Sequence, residues 1–411
     1  MSYNTPSLRF GGYNDAWEQR KFEDLVDKND GIRRGPFGSA LKKEFFVKES
    51  EYVVYEQQNA IYDRFNTRYN ITKEKYIELN KFKVIPGDFI MSGAGTIGRI
   101  SLVPNGIKQG IFNQALIRFK LNTVRTDSKY FLQLMRSEQM QRKLTGSNAG
   151  SAMINLVPMS EVKQWDILVP ELDEQKKIGE FFTNLDNTIA LHQRKLDKLK
   201  QLKQGYLQQL FPQNGKNTPR IRFANFDNKW EQDKFGNLIK EKREKTKIEN
   251  EDTLLSCAID GIYLNSELFD HFRGTSNIGY LKIKMNDMIL SAQNLHLGNA
   301  NINLRFEHGM ISPAYKVYNL TKADPHFMSA WLKAKSTKNF FERATTEGAS
   351  ICRKNILWND LYKQDLFVPS LTEQEKIASF FKQLDDTITI HQSKLDKLNS
   401  LKQVLLQKIF V

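Results

Sequence analysis

The chain repeats itself, and no fold that ignores the repeat can be right. Residues 166–212 read DILVPELDEQKKIGEFFTNLDNTIALHQRKLDKLKQLKQGYLQQLFP, and residues 365–411 read DLFVPSLTEQEKIASFFKQLDDTITIHQSKLDKLNSLKQVLLQKIFV. They align without gaps at an offset of 199, with 27 of 47 positions identical. A second match lies upstream: LRFGGYNDAWEQRKFEDLV at 8–26 against IRFANFDNKWEQDKFGNLI at 221–239. Its offset is 213, with 8 of 19 positions identical, among them Trp17/Trp230 and Glu18/Glu231. The plan occurs twice, and its second copy is 14 residues shorter between the two matches. A period near 200 residues excludes solenoids, whose repeats run ~20–50 residues.

The strongly repeated blocks are helices. Ile178, Phe182, Leu185, Ile189, His192, Leu196, Leu199, Lys203, Tyr206 and Leu210 alternate steps of four and three. Ile377, Phe381, Leu384, Ile388, His391, Leu395, Leu398, Lys402, Leu405 and Ile409 do the same. This is a heptad seam, with Leu202 and Leu207 (Leu401 and Leu406) widening the stripe. Each helix is predicted to start after a Val-Pro step, Val169-Pro170 or Val368-Pro369, which favours extended backbone before it. Roughly 38 helical residues would make a rod of ~57 Å. Two near-identical stripes in one chain most simply pair with each other, and the large block between them makes an antiparallel pair plausible. A parallel pair and docking onto other proteins stay open. In an antiparallel pair with two-fold pseudosymmetry, His192 and His391 are expected within ~11 Å of each other near the centre, beside Gln193 and Gln392.

Charge follows the same division. The 411 residues carry 61 Lys+Arg and 47 Asp+Glu, net +14. Residues 1–165 hold 25 and 17, residues 166–212 hold 7 and 7, residues 213–364 hold 23 and 17, and residues 365–411 hold 6 and 6. All the excess lies in the two globular blocks. That distribution suggests a polyanion partner, most simply nucleic acid. Two cysteines, Cys257 and Cys352, make neither a disulfide framework nor a four-thiolate zinc site. No apolar run approaches the ~18 residues of a membrane span, and MSYNTPSLRF lacks the apolar core of a signal peptide. A cytoplasmic protein without membrane contact is expected.

The globular blocks read as mixed α/β. Strands are predicted in 81–92, 99–104 and 110–120, then a helix over 128–144 with Asp127 as N-cap. The second block runs in parallel, with strands in 280–291, 299–304 and 310–318. A helix follows from Pro325, behind Asp324. The fold class is therefore α+β. Two pseudo-symmetric mixed domains, 1–169 and 213–368, are separated by two long helices, 170–212 and 369–411, for which an antiparallel coiled coil is the simplest expected arrangement.

Catalytic chemistry finds little support. Gly93-Ala94-Gly95-Thr96-Ile97-Gly98 is a literal G-x-G-x-x-G, but a strand-like segment follows it and no acidic residue lies about 20 positions on. A turn that brings backbone close to another surface fits better. Glu174-Gln175-Lys176 resembles the end of a nuclease motif, yet its repeat copy Glu373-Gln374-Glu375 loses the lysine, so a helix-capping role is expected. Residues 1–165 contain no histidine or cysteine, and no Walker loop, nucleophile elbow or Asn-Pro-Pro-Tyr motif occurs.

Candidate nucleic-acid contacts are basic and amide residues in Gly-rich or polar loops. In the first block they are Arg33 and Arg34 in GIRRGPFGS, Thr96 and Arg99, Lys108 and Gln109, and Ser147 and Asn148. In the second they are Lys242, Arg243, Lys245 and Lys247, then Gln293, Asn294 and His296, then Arg353 and Lys354. Arg and Lys suit phosphates and guanine edges, while Gln and Asn suit adenine.

With these motifs in view the chain resembles a specificity subunit of a type I restriction-modification system. The resemblance covers essentially the whole length. It rests on the LRF…WE opening, the VP-L-EQ-KI-FF-LD-I helix starts and the KLDKL…LKQ helix ends, each present twice. It implies two target-recognition domains, each reading one half of a bipartite, asymmetric site in double-stranded DNA. The helices would set the spacing and dock two modification subunits that carry S-adenosylmethionine and methylate adenine. Restriction subunits using ATP and Mg would complete the assembly, and this chain would hold no cofactor, no metal and no catalytic residue. Two other readings differ from it. A fused methyltransferase-nuclease would need motifs that are absent. A coiled-coil adaptor without a nucleic-acid role would not need positive charge confined to the globular blocks.

Overall fold

The structure, a computed structural model, describes residues 5–146, 157–213, 216–270, 276–350 and 353–410, with backbone only at 347–350 and 353. It divides into two units: residues 1–192 with 394–411, and residues 193–393. The architecture is the expected α+β one, two mixed domains of duplicated plan joined by two long helices, Leu172–Gln209 and Leu371–Ile409. Each unit contains part of both helices.

In the first unit, strand Ile32–Arg34 opens a four-stranded antiparallel sheet that continues through Leu116–Phe119, Phe89–Ser92 and Ile100–Leu102. Strand Gly110–Phe112 belongs to a second, five-stranded sheet, where it runs parallel to Tyr52–Tyr55. The predicted strand over 110–120 is thus two strands joined by a turn at 113–115. The stretch 81–92 is likewise broken, by a turn with Gly87 at φ +90°. The helix expected over 128–144 is two helices, Ser128–Arg136 and Glu138–Thr145. Ser137 breaks it by turning its hydroxyl onto the Met140 N–H and capping the second helix. Asp127 caps the first through the Tyr130 N–H at 2.9 Å, as expected.

The second unit repeats the four-stranded sheet with Ile239–Lys242, Tyr315–Leu320, Met288–Ser291 and Ala300–Ile302 in the same order. Asp324 caps helix Pro325–Lys333 through the Phe327 N–H at 2.8 Å. Two two-stranded sheets, Leu255–Cys257 with Ile262–Leu264 and Leu281–Lys284 with His308–Ile311, take the place of the first unit's five-stranded sheet in the chain order.

Within each unit the long helices run antiparallel. Asp186 meets Lys402 at 2.7 Å in the first unit, and Asp385 meets Lys203 at 2.5 Å in the second. The Phe182 and Phe410 rings are 6.2 Å apart, as are those of Phe381 and Phe211. These side chains join the cores. Trp17, Phe22, Phe119 and Phe131 pack with Ile178, Phe182, Ile409 and Phe410 in one, and Trp230, Phe235, Phe327 and Trp331 with Leu207, Phe211, Ile377 and Phe381 in the other. Every seam position of the heptad is buried or half-buried: Ile178, Leu185, Ile189, His192, Leu196 and Leu199 on one helix, and Ile377, Leu384, Ile388, His391, Leu395 and Leu398 on the other. The stripe does not widen as expected, because Leu202 and Leu401 are 47 % and 48 % exposed. Leu207 is buried and Leu406 half-buried.

The short LRF motif closes each unit. The Leu8 N–H donates to the Lys408 carbonyl at 3.2 Å, and the Ile221 N–H to that of Gln209 at 3.1 Å. Each satisfies a carbonyl that a helix C-terminus would leave orphaned. Arg9 grips Glu174 with two bonds of 2.8 Å, and Arg222 grips Glu373 with bonds of 2.9 and 2.6 Å. Phe10 and Phe223 pack edge-on to Phe181 and Phe380. Three consecutive residues thus clasp the end of one long helix to the start of the other. This corrects the capping role expected for Glu174 and Glu373. The neighbouring glutamines tie each long helix to the capping residue of a helix in its mixed domain instead. Gln175 accepts from the Asp127 N–H at 3.0 Å, and Gln374 from the Asp324 N–H at 2.9 Å.

Candidate nucleic-acid interface

Strand direction gathers the loops. In the first unit Arg34 ends one strand, Ser92 ends another, and Ile100 and Leu116 begin the other two. All four ends lie on one side of the antiparallel sheet. The Gly-rich turn 93–99 therefore stands beside the loop that follows Arg34. The turn at 113–115 sits between them. The Gly35 N–H donates to Leu116 carbonyl at 2.9 Å, and the Gly93 N–H to Ala115 carbonyl at 2.8 Å. A Cβ on Gly35 would lie 1.9 Å from the Asn113 carbonyl oxygen, so only glycine permits this approach.

The Gly-rich turn is firmly held. Gly95 and Gly98 adopt φ of +63° and +83°, and the Gly98 carbonyl accepts from Gln141 at 3.0 Å. Gln57 donates to the Ala94 carbonyl. The backbone is fixed while Thr96 and Arg99 remain exposed. Arg34 is exposed as well. Arg33 is half-buried and bound to Asp30, which also takes Arg118. Burial pushes the Asp30 carboxyl up, and hydrogen bonds from Arg33 and Arg118 more than offset this, leaving it below its ordinary value. Lys108 and Gln109 are exposed but precede strand Gly110–Phe112, at its far end from the 113–115 turn. Ser147 and Asn148 lie outside the described residues.

The second unit gathers its loops in the same way. Arg243 follows the strand equivalent to Ile32–Arg34, and turn 292–299 replaces the Gly-rich turn. Arg243 and Gln293 are exposed, and Asn294 is half-buried. The Ser291 hydroxyl accepts from the N–H groups of Gln293 and Asn294. The Lys354 N–H donates to the Gln293 carbonyl at 3.3 Å, and the Lys354 ammonium pairs with Glu342 at 2.8 Å. His296 is buried. Lys242 is turned inward onto buried Asp287 at 3.0 Å. Lys245 and Lys247 are exposed on the segment pinned to Tyr280 through Thr246. The Arg353 side chain lies outside the described residues.

The structure thus collects Arg34, Thr96 and Arg99 at one sheet end, and Arg243, Gln293, Asn294 and Lys354 at its counterpart. Gln57 and Phe37, beside the same first-unit loops, were not singled out from the sequence. Phe37 between two glycines in GPFGS was the available signal; Gln57 gave none, since its contact depends on the fold. No helix among the described residues is long and apolar enough to cross a membrane.

Residues 14–201 match the family profile described as the type I restriction modification DNA specificity domain. The matched stretch spans the first mixed domain and most of the first long helix. Residues 14–201 are thus similar to a type I restriction-modification specificity domain, and further likenesses extend over nearly the whole chain. A relative from Methanocaldococcus jannaschii, named as the MjaX type I restriction enzyme specificity subunit, is 21% identical over 98% of this chain and 95% of its own. The fold is similar to the type I restriction-modification S subunit from M. genitalium, with TM-score 0.60, 16% identity and coverage of 99% of both chains. It is also similar to a chain from a study of complex assembly and conformational transition in the type I system, with TM-score 0.55, 14% identity and coverage of 96% and 97%.

Proposed function

We propose that each unit reads one half of a bipartite, asymmetric site in double-stranded DNA. The recognition domains are residues 1–169 and 213–368, and the helices 170–212 and 369–411 set the spacing between the half-sites. One observation carries the reading: the two sheets have the same strand order while the loops at their equivalent ends carry different exposed residues. A shared scaffold with unlike tips suits two unlike half-sites. Arg34 and Arg99, and Arg243 and Lys354, supply cations for phosphates and guanine edges. Thr96, Gln293 and Asn294 supply neutral hydrogen-bonding groups for bases. Of the remaining candidates, Lys245 and Lys247 are exposed cations, while Lys108 and Gln109 are exposed at the far end of strand Gly110–Phe112 from the grouped loops.

The helices also dock two modification subunits. Leu191 and Ile390 are exposed at repeat-equivalent positions, and so are Leu202 and Leu401. Apolar side chains left exposed twice at matching places suit two copies of one partner. The modification subunits would bring S-adenosylmethionine, and restriction subunits ATP and Mg. This chain would hold no cofactor and act in the cytoplasm. The test is co-production with the modification subunit, followed by sequencing for methylated adenine. A bipartite motif with a fixed gap is expected, with DNA binding that weakens as salt rises. Absence of any methylated motif, with the complex intact, would refute the proposal and favour a plain adaptor.

A further inference from the structure

We infer that Phe37 is a wedge that inserts against a base step in the half-site read by the first unit. This rests on the DNA-reading role proposed above and names one contact within it. Phe37 is 89 % exposed, the most exposed of the large apolar side chains among the described residues. It is not at a frayed end. Pro36 before it is buried, and Leu41 after it is buried with Val53, Val54 and Ile111 against the first unit's five-stranded sheet. Gly35 is locked against Asn113, and the Phe37 carbonyl closes a turn by accepting from the Ala40 N–H at 2.8 Å. The backbone on both sides is held, and the ring alone projects.

A solitary apolar side chain on a surface usually needs no explanation. Three features set this one apart. An exposed phenyl ring is costly to leave in water, and nothing in the loop requires an aromatic there, because the turn is built by Gly35, Pro36 and Gly38. The loop lies at the sheet end that carries Arg34, Thr96 and Arg99. Its flanks are cationic, with Arg34, Lys42 and Lys43 exposed and Glu44 the nearby acidic group, 3.7 Å from Lys42. An apolar wedge ringed by cations fits a polyanion whose interior is a stack of aromatic rings. Proteins that unstack DNA use Phe, Leu, Ile, Met or Pro in this way, with basic residues holding the phosphates on either side. A protein partner is the competing occupant, and the cationic rim favours DNA.

The experiment uses the full chain assembled with its modification subunits. Duplexes carrying the methylated motif are prepared with 2-aminopurine at each successive position of the first unit's half-site. Binding by the unaltered complex should raise the fluorescence at one step. Phe37→Ala should abolish that rise and weaken binding about tenfold, ~1.4 kcal/mol, with the salt slope unchanged because no phosphate contact is lost. Phe37→Leu should restore much of both. Thermal unfolding should match for all three chains, since an exposed ring supports no core. Phe37→Ala with an undiminished fluorescence rise and affinity overturns the inference while leaving the DNA-reading role intact. Loss of the modification subunits from the Phe37→Ala complex overturns it in favour of a protein contact. An unaltered complex that neither binds nor methylates DNA would overturn the DNA-reading role itself.

Discussion

Replacing Arg9 by methionine tests whether the LRF clasp holds the first unit together. The Glu174 side chain is 1 % exposed and receives both of its charged hydrogen bonds from Arg9. Arg9→Met leaves the long aliphatic stem but strands a carboxylate in the core. Breaking a buried ion pair by removing one partner costs about 3–5 kcal/mol, mostly from the charge left behind. Arg9 itself is 15 % exposed, so water can reach part of the vacated space, which places the expectation near ~3 kcal/mol. At roughly 2–4 °C per kcal/mol for a unit of this size, the transition should fall about 6–12 °C. Thermal unfolding gives the magnitude, and hydrogen exchange read peptide by peptide gives the place. Protection should drop in the strand pair 18–21 and 166–169, and Arg222→Met should do the same to 231–234 and 365–368. Arg9→Met combined with Glu174→Met removes both charges and should recover most of the loss. A single-variant shift under about 2 °C, or a double variant no better than the single, would refute the clasp.

Two further outcomes follow from the long helices and the second unit. Asp186→Lys should lower first-unit stability by about 1 kcal/mol by setting two ammonium groups together, and adding Lys402→Asp should restore it, as a denaturant titration would register. Burial pushes the Lys333 ammonium down to about 8, although Cys257 and Asp260 act to raise it. An unfolded lysine keeps its proton to a higher pH, so from pH 8 to about 10.4 the unfolded chain binds more protons. Lys333 therefore adds stability as pH rises through that window. A Lys333→Met chain should lose that increment, and identical pH slopes for the two chains would count against it.

Much of the architecture was legible because it is local or repeated. The heptads run uninterrupted, the Val-Pro steps mark where the helices begin, and Asp127 and Asp324 cap where N-caps belong. What was not legible depends on partners far away in the chain. Glu174 sits in the first turn of a helix, where an acidic residue ordinarily reads as a capping or dipole group. Its actual partner is 165 residues distant. Ser137 could cap a helix or ride inside one, and only the packing of Met140 and Leu144 into the core decides between them. Leu202 fits the apolar stripe by spacing, yet it is left 47 % exposed, and spacing alone does not say how wide a stripe the packing covers. In the candidate site the arginines and amides were found by type, but their grouping came from strand direction. Lys242 looked like its neighbour Arg243 until Asp287 proved to lie beneath it.

Phe410 carries a consequence for how the molecule is made. It packs against Tyr130 and Phe182 in the first unit's core, together with Ile409. A ribosome delivers residues 1–192 first, but the stretch that completes their core comes after residue 393. The second unit is one uninterrupted stretch and has all its parts by then. The order of synthesis and the order of completion are therefore reversed. The half made first must wait, with an apolar face open, for the half made second to finish. During that wait the nascent chain is most exposed to chaperones and proteases, and loss of the last few residues would damage the domain farthest from them in sequence.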